Sequence, residues 1–264
     1  MANKRKDLIR TDIPHSARIW NYWLGGRDNY EVDRVVGESS VQGYPDIKTM
    51  AIQSRQFLIR SVRYLAAEAG IRQFIDIGTG LPTMENTHEV AQKAAPSSKI
   101  VYVDNDPLVL AHARALLINT TDEGVTTYVE ADFNEPEAII ADSRNVLNFK
   151  EPIAILFMGV LGHAPTADDA RGIIQTMMDA VVPGSYLAHN DGTDDDEGYV
   201  RLCHNYAKSG GVPYHPRPNK VIASYYEGLE VVEPGIVPLN YWRTDEEERG
   251  IRPGSVWGGV GRKP

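Results

Sequence analysis

Five times between residues 74 and 209, a short apolar run is followed by a segment with helical spacing. No other feature narrows the fold of this 264-residue chain as far. The runs at 74–77, 99–103, 126–130, 153–158 and 185–189 predict strands. Helices are predicted at 83–94, from Pro107 behind an Asp106 cap, at 136–147, from Thr166 to Val181, and at 195–209. Strand and helix in alternation specify a parallel sheet covered on both faces, with right-handed crossovers. The C-terminal end breaks the pattern. Residues 229–242 and 255–262 are strand-like with no long helix between them, so they predict an antiparallel hairpin at one sheet edge. Before the first strand, residues 47–69 carry Met50, Phe57, Leu58, Val62, Leu65 and Ala66 at helical spacing, closed by Gly70. Ala17, Trp20, Tyr22 and Leu24 predict a short aromatic helix that breaks at Gly25–Gly26.

Composition sets the outer limits. The chain is 42% apolar and 24% charged, with one cysteine and a net charge of −9. A lone Cys203 excludes an internal disulfide and a cysteine-based zinc site, and it is expected to be a small buried residue. The acidic balance argues against nucleic acid as a partner. No apolar run reaches spanning length, which argues against a membrane. The basic start, residues 1–6, lacks the apolar stretch of a secretory signal, so a cytoplasmic location is expected. Residues 1–72 hold 12 Lys and Arg against 8 Asp and Glu, whereas the remainder holds 15 against 28. A basic N-terminal layer on an acidic body is therefore expected.

In open α/β sheets, ligands bind beyond the carboxyl ends of the strands, where strand order reverses. Three acids fall at such ends: Asp76, Asp104 and Asp132, each 28 residues from the next. This spacing of one strand–helix–strand repeat predicts that they lie side by side. Asp76 opens Asp76-Ile77-Gly78-Thr79-Gly80, whose glycines permit a tight turn close to a ligand. Asp104 can accept both hydroxyls of a ribose. Asp132 can accept from an exocyclic amine of adenine, with Phe133 against the ring. A dinucleotide site wants a third glycine three residues after Gly80, where Thr83 stands, preceded by Pro82. That departure and the closing hairpin weaken a reading as an NAD(P)-dependent oxidoreductase.

Asp76-x-Gly78-x-Gly80, Asp104, Asp132–Phe133, the apolar strand to Met158, Pro183–Gly184 and the hairpin together resemble class I S-adenosylmethionine (SAM) methyltransferases. Pro14-His15-Ser16-Ala17-Arg18, Leu24 to Tyr30, Gln73 to Thr83, Tyr102 to Pro107 and Pro234–Gly235 narrow the likeness. They resemble a bacterial SAM-dependent methyltransferase family long catalogued only as a domain of unknown function. The resemblance implies a Rossmann-like α/β fold with a seven-stranded, mostly parallel sheet. It also implies SAM as cofactor, S-adenosylhomocysteine as product and a small-molecule methyl acceptor of unknown identity. A cap or lid over residues 1–46 and a methyltransferase domain over 47–264 are expected. By the same resemblance Gly78, Thr79 and Gly80 would face the methionine part, Asp104 with Asn105 the ribose, and Asp132 and Phe133 the adenine. Met158 and Gly159 would lie near the sulfonium.

The remaining expectations concern the cap and the acceptor. Trp20 and Leu24 are expected to pack, and Tyr22, Gly26, Asn29 and Tyr30 to reach the cofactor. Arg55 would pair with the cofactor carboxylate. His163 is the leading catalytic base, because its ordinary pKa lies near neutrality; His189 and Asp191 are weaker choices. The basic cap, with Arg27 and Arg34, would favour an anionic acceptor. Two acidic runs, 194–197 and 245–248, read as a helix start and a solvated loop, with no metal site. A non-catalytic SAM-binding sensor or partner protein is the alternative from a different class.

Overall fold

Sheet strands that are covered on both faces read as near-continuous apolar runs; the run 153–158 is apolar throughout and 74–77 is broken only by Asp76. The structure, a computed structural model, describes residues 9–82, 85–116, 118–244 and 250–264. Residues 1–6, Thr83 and the acidic run 245–248 lie outside the described residues. Strands β1 (Gln73–Ile77), β2 (Lys99–Asp104), β3 (Val125–Glu130), β4 (Ala154–Met158) and β5 (Tyr186–Gly192) pair in parallel in the order β3-β2-β1-β4-β5. Order reverses between β1 and β4, and a cleft opens beyond their carboxyl ends.

Side chains alternate across the sheet with the strand period of two. Phe74, Ala154 and Leu156 enter the core on one face, and Ile75, Ile77, Ile155 and Phe157 the core on the other. The first face is covered by α1 (Ser16–Trp23), α2 (Glu31–Gly43), α3 (Ile47–Ala67), α4 (Thr87–Ala94) and α8 (Glu197–Lys208). The second carries α6 (Pro136–Ser143), α7 (Ala167–Asp179) and the short α9 (Asn219–Ser224). Helix α5 (Pro107–Leu116) follows β2. All six apolar residues expected inside α3 are buried, and Gly70 closes the helix with φ +76°.

Three boundaries differ from expectation, each for a local reason. Helix α4 starts at Thr87, because Asn86 and Glu89 form a capping box in which the Asn86 amide donates to Glu89 Oε2 at 2.6 Å. Helix α6 ends at Ser143, after which Val146 and Leu147 both donate to the Ser143 carbonyl. The first arm of the hairpin is not one strand. It splits into β6 (Glu230–Val231) and β7 (Val237–Pro238), with Gly235 at φ +103° between them, and both pair antiparallel with β8 (Val256–Arg262). Prolines at 234 and 238 cannot donate to a ladder, which limits each piece to two residues. The sheet thus has eight strands rather than seven, and β8 lies between β5 and β6.

The N-terminal helices are tied to the body by buried charges. Arg18, 3% exposed, donates to Asp106 Oδ2 at 3.3 Å and to the Arg10 carbonyl at 2.8 Å. Asp33, fully buried, accepts from the His15 and Tyr30 amides at 2.9 Å each. Asp106 also caps α5 by accepting from the Leu108 amide at 2.8 Å. Asp106 therefore joins the basic N-terminal layer to the acidic body while starting a helix.

Candidate functional site

The cleft forms where the glycine turn, the ends of β1, β2 and β4, and helices α1 and α3 meet. It encloses about 1300 Å³, open solvent included. Gly78 and Gly80 stand at φ +70° and +67°, where side chains are strained. A Cβ at Gly78 would run into Val160. The Gly78 and Thr79 amides donate to the Val103 carbonyl at 2.9 and 3.2 Å, and the Gly80 amide donates to Asp104 Oδ2 at 2.9 Å. The turn is thereby held against β2 with bare backbone toward the cleft.

Asp76, Asp104 and Asp132 all border this space. Asp104 is 9% exposed, and its Oδ1 accepts from the Asp106 amide at 2.9 Å. Burial holds its carboxyl above the usual carboxylate range. Asp132 accepts from Asn105 Nδ2 at 2.9 Å and from the Asn134 amide at 2.9 Å. Phe133 and Leu81 add apolar wall. On the far side stand Met158 and Gly159. Asn190 Nδ2 donates to Met158 Sδ at 3.0 Å, and Ser54 Oγ of α3 donates to Asn190 Oδ1 at 3.1 Å. Arg55 borders the cleft as well, donating to the Glu85 carbonyl and Asn86 Oδ1, each at 3.1 Å.

Asp76 is buried and accepts from Thr87 Oγ1 at 2.6 Å. Burial pushes its pKa up to about 6. A carboxyl that binds its proton more tightly when folded contributes stability at low pH that is lost as pH rises through about 4 to 6. Asp76→Asn keeps an acceptor for Thr87 and removes this loss. Urea unfolding of the unliganded chain is expected to show it more stable than wild type by about 3 kcal/mol at pH 8. The difference should shrink toward zero at pH 4; equal stability at pH 8 would contradict the buried charge.

His163 lies in a short 3₁₀ turn, Leu161–His163, after β4. Its Nδ1 donates to the Pro213 carbonyl at 2.9 Å, which leaves Nε2 as the lone-pair nitrogen of the neutral ring. Burial lowers its pKa and favours that neutral form. The Tyr214 ring stands edge-on to the imidazole at 5.1 Å. Asp191 holds both: its Oδ1 accepts from the Gly162 amide at 3.1 Å and from Tyr214 Oη at 2.9 Å. His189 is fully buried, with Nε2 3.0 Å from Asp191 Oδ2, and does not border the cleft. Asp196 caps α8 by accepting from the Gly198 and Tyr199 amides.

The N-terminal expectations change places. Trp20 and Leu24, expected only to pack, border the cleft together with Ala17 and Asn21. Tyr22, Gly26, Asn29 and Tyr30, expected at the cofactor, do not. At 100° per residue, Tyr22 falls on the side of α1 opposite to 17, 20, 21 and 24, and its hydroxyl donates to Glu38 Oε2 at 2.7 Å. Gly26 and Asn29 build the turn between α1 and α2. Asn29 Nδ2 donates to the Gly26 carbonyl at 3.1 Å and to Asn21 Oδ1 at 3.0 Å. Tyr30 caps α2 and stacks beneath Arg18 at 5.2 Å. Arg27 and Arg34, expected to attract an anion, are exposed and border no part of the cleft. Sequence reasoning also missed Ala51, Ser54 and Leu58 of α3. With Arg55 they recur at the helical spacing i, i+3, i+4, i+7, a stripe in which polar Ser54 and Arg55 lie between apolar Ala51 and Leu58.

The fit of a SAM-like ligand can be judged on these atoms. Gly80 and Gly159 face the cleft without side chains, and a Cβ at either would meet nothing nearer than 3.9 Å. Carboxylates suited to ribose hydroxyls and an amine stand at β2 and after β3, and apolar walls stand where a ring system would lie. The donor and acceptor set fits such a ligand. Among the described residues, no helix is long and apolar enough to cross a membrane.

Comparison with known proteins agrees with this geometry. A family model described as S-adenosyl methyltransferase matches residues 2–264. The crystal structure of a DUF574 family protein from Streptomyces avermitilis MA-4680 superposes with TM-score 0.92 at 40% identity, covering 96% of this chain and 99% of the other. A candidate methyltransferase from Thermobifida fusca YX superposes with TM-score 0.87 at 38% identity, covering 96% of each chain. No curated protein matches.

Proposed function

The chain belongs to the S-adenosyl methyltransferase family, and from that premise we propose that it methylates a small molecule held beneath its N-terminal helices, with His163 as the base. It is a SAM-dependent enzyme of the class I fold. Bound SAM supplies an activated methyl group and its own leaving group, so the protein's work is alignment and proton removal. The observation that carries the reading is convergence. The Gly78–Gly80 turn, Asp104 and Asp132 border one cleft whose other walls include α1, α3, Met158, Gly159 and His163.

In this reading Asp104 accepts from the ribose and the Asp132–Asn105 pair binds the adenine edge, with Phe133 against the ring. Backbone at Gly78 to Gly80 lines the amino-acid tail, with Arg55 near its carboxylate. Met158 and Gly159 border the reacting end, and Asn190 holds the Met158 thioether. Residues 1–46 act as a cap on a methyltransferase body of 47–264, and the apolar faces of Trp20 and Leu24 exclude water from the methyl group. His163, with Nδ1 committed to Pro213, presents Nε2 to the acceptor proton. A base at this position favours an enzyme over a silent sensor.

Isothermal titration with SAM, S-adenosylhomocysteine and NADH tests the ligand. Saturable binding of the first two without NADH is expected. NADH binding in their place would overturn the reading. A screen for S-adenosylhomocysteine release across metabolite fractions then separates turnover from mere binding.

A further inference from the structure

Asp191, near the end of β5, is 1% exposed and does not border the cleft, yet polar groups from separate segments converge on it. Its Oδ1 accepts from the Gly162 amide at 3.1 Å and from Tyr214 Oη at 2.9 Å, and its Oδ2 lies 3.0 Å from His189 Nε2. Gly162 immediately precedes His163, and Tyr214 immediately follows Pro213, whose carbonyl holds His163 Nδ1. The carboxylate therefore grips the residue before the imidazole and the residue after its anchor. The two segments also fit each other. The His215 amide donates to the Gly162 carbonyl at 2.7 Å. The Tyr214 ring stands edge-on to His163, and a Cβ at Gly162 would collide with that ring. Buried Arg217 donates to the Leu161, Ala164 and Thr166 carbonyls and fixes the flanks of the turn.

We propose that Asp191 is the positioning residue for His163: through Gly162 and Tyr214 it holds the imidazole in place, and its charge stabilises the imidazolium that forms when the acceptor proton reaches Nε2. This inference rests on the reading of His163 as the base. Fixing the turn would not by itself call for a carboxylate. A neutral oxygen can accept the same bonds from Gly162 and Tyr214, whereas burying a charge sacrifices its hydration. The charge has a use at the base. Burial lowers the pKa of His163 and Asp191 raises it, so the carboxylate offsets part of the effect of burial. A base weakened by burial alone would take the acceptor proton less readily. His15, the other ionisable neighbour, acts in the opposite sense to Asp191. Two roles that one acid could combine are thus divided. The Pro213 carbonyl sets the tautomer of the ring by accepting from Nδ1. Asp191 sets where the ring stands and how basic it is.

Long-range proton–nitrogen NMR spectra of the full chain, labelled at histidine, test this without any acceptor. The His163 signal is identified by its loss in His163→Asn. In wild type it should show the Nδ1–H tautomer and a titration midpoint below the ordinary histidine value. Asp191→Asn keeps an oxygen for Gly162 and Tyr214, turns its new amide toward a His189 ring that can accept as well as donate, and removes the charge. Its His163 signal should keep the tautomer while the midpoint moves further down. Tyr214→Phe keeps the ring and the charge but cuts the link between Asp191 and the segment that carries Pro213. There the Nδ1–H preference should weaken to a mixture of tautomers. Both variants should bind S-adenosylhomocysteine as wild type does, since neither residue borders the cleft. A wild-type midpoint in Asp191→Asn is what a merely structural acid would give, and it would overturn the proposal. An unaltered tautomer in Tyr214→Phe would overturn it as well, and decides the matter if Asp191→Asn does not fold. The base reading stands or falls separately, on the turnover of His163→Asn and on S-adenosylhomocysteine binding by wild type.

Discussion

His163→Asn is expected to lower kcat by about 10²- to 10⁴-fold, the usual contribution of a positioned general base, with S-adenosylhomocysteine affinity unchanged. Asparagine retains a donor for the Pro213 carbonyl, so the turn after β4 keeps its anchor while the basic nitrogen is lost. The pH profile separates a base from a packing residue. A histidine base works in its neutral form, and burial lowers the pKa of His163. Turnover should therefore stay level as pH falls through the ordinary histidine value of about 6.5 and decline only below it. In the variant this acidic limb should vanish. Asp191 and His15 are ionisable neighbours that act on His163, the first raising and the second lowering its pKa. A variant that loses activity but keeps the same limb would assign the limb to another group and remove His163 from the mechanism.

Asp104→Ala is expected to weaken S-adenosylhomocysteine binding by about 10²- to 10⁴-fold. That figure follows from losing two hydrogen bonds to a charged acceptor, at about 1.5–3 kcal/mol each. Titration calorimetry gives the affinity, and circular dichroism shows whether the fold survives. The same carboxylate accepts from the Gly80 and Asp106 amides. Truncation therefore also frees the glycine turn, and some loss of stability accompanies the loss of affinity. A folded Asp104→Ala chain that binds normally would remove Asp104 from the proposed ribose contact. Asp104→Asn offers a graded check. It keeps one accepting oxygen but places an NH₂ group near a backbone amide, so its affinity should lie between wild type and Ala.

Much of the fold was legible because it depends on local rules. Ile153 to Met158 is apolar throughout, and Phe74 to Ile77 is so except for Asp76, as expected of strands covered on both faces. Thr166 with Asp169 does form the capping box expected before α7. Asp106 and Pro107 start α5 as expected. What misled was chemistry acting over one or two residues. The Asn86–Glu89 capping box moved the start of α4, and Pro234, Gly235 and Pro238 divided an apparent strand into two.

The candidate site divides in the same way. Asp76, Asp104 and Asp132 could be placed on one wall from a spacing of 28 residues, because each crossover of a parallel sheet returns the chain to the same edge. Strand period and crossover geometry belong to the sequence itself. Which face of α1 meets the cleft does not. Trp20, Tyr22 and Leu24 all read as aromatic or apolar, and only docking through Arg18, Asp33 and Asp106 selects the side that carries Trp20 and Leu24. The pairing of His163 with Pro213 and Tyr214 joins residues about 50 positions apart, and the cleft is walled by α1, α3, the ends of three strands and the turns that follow them. Such a space has no period and no motif. It exists only where packed elements fail to touch, and that is decided by the tertiary structure alone.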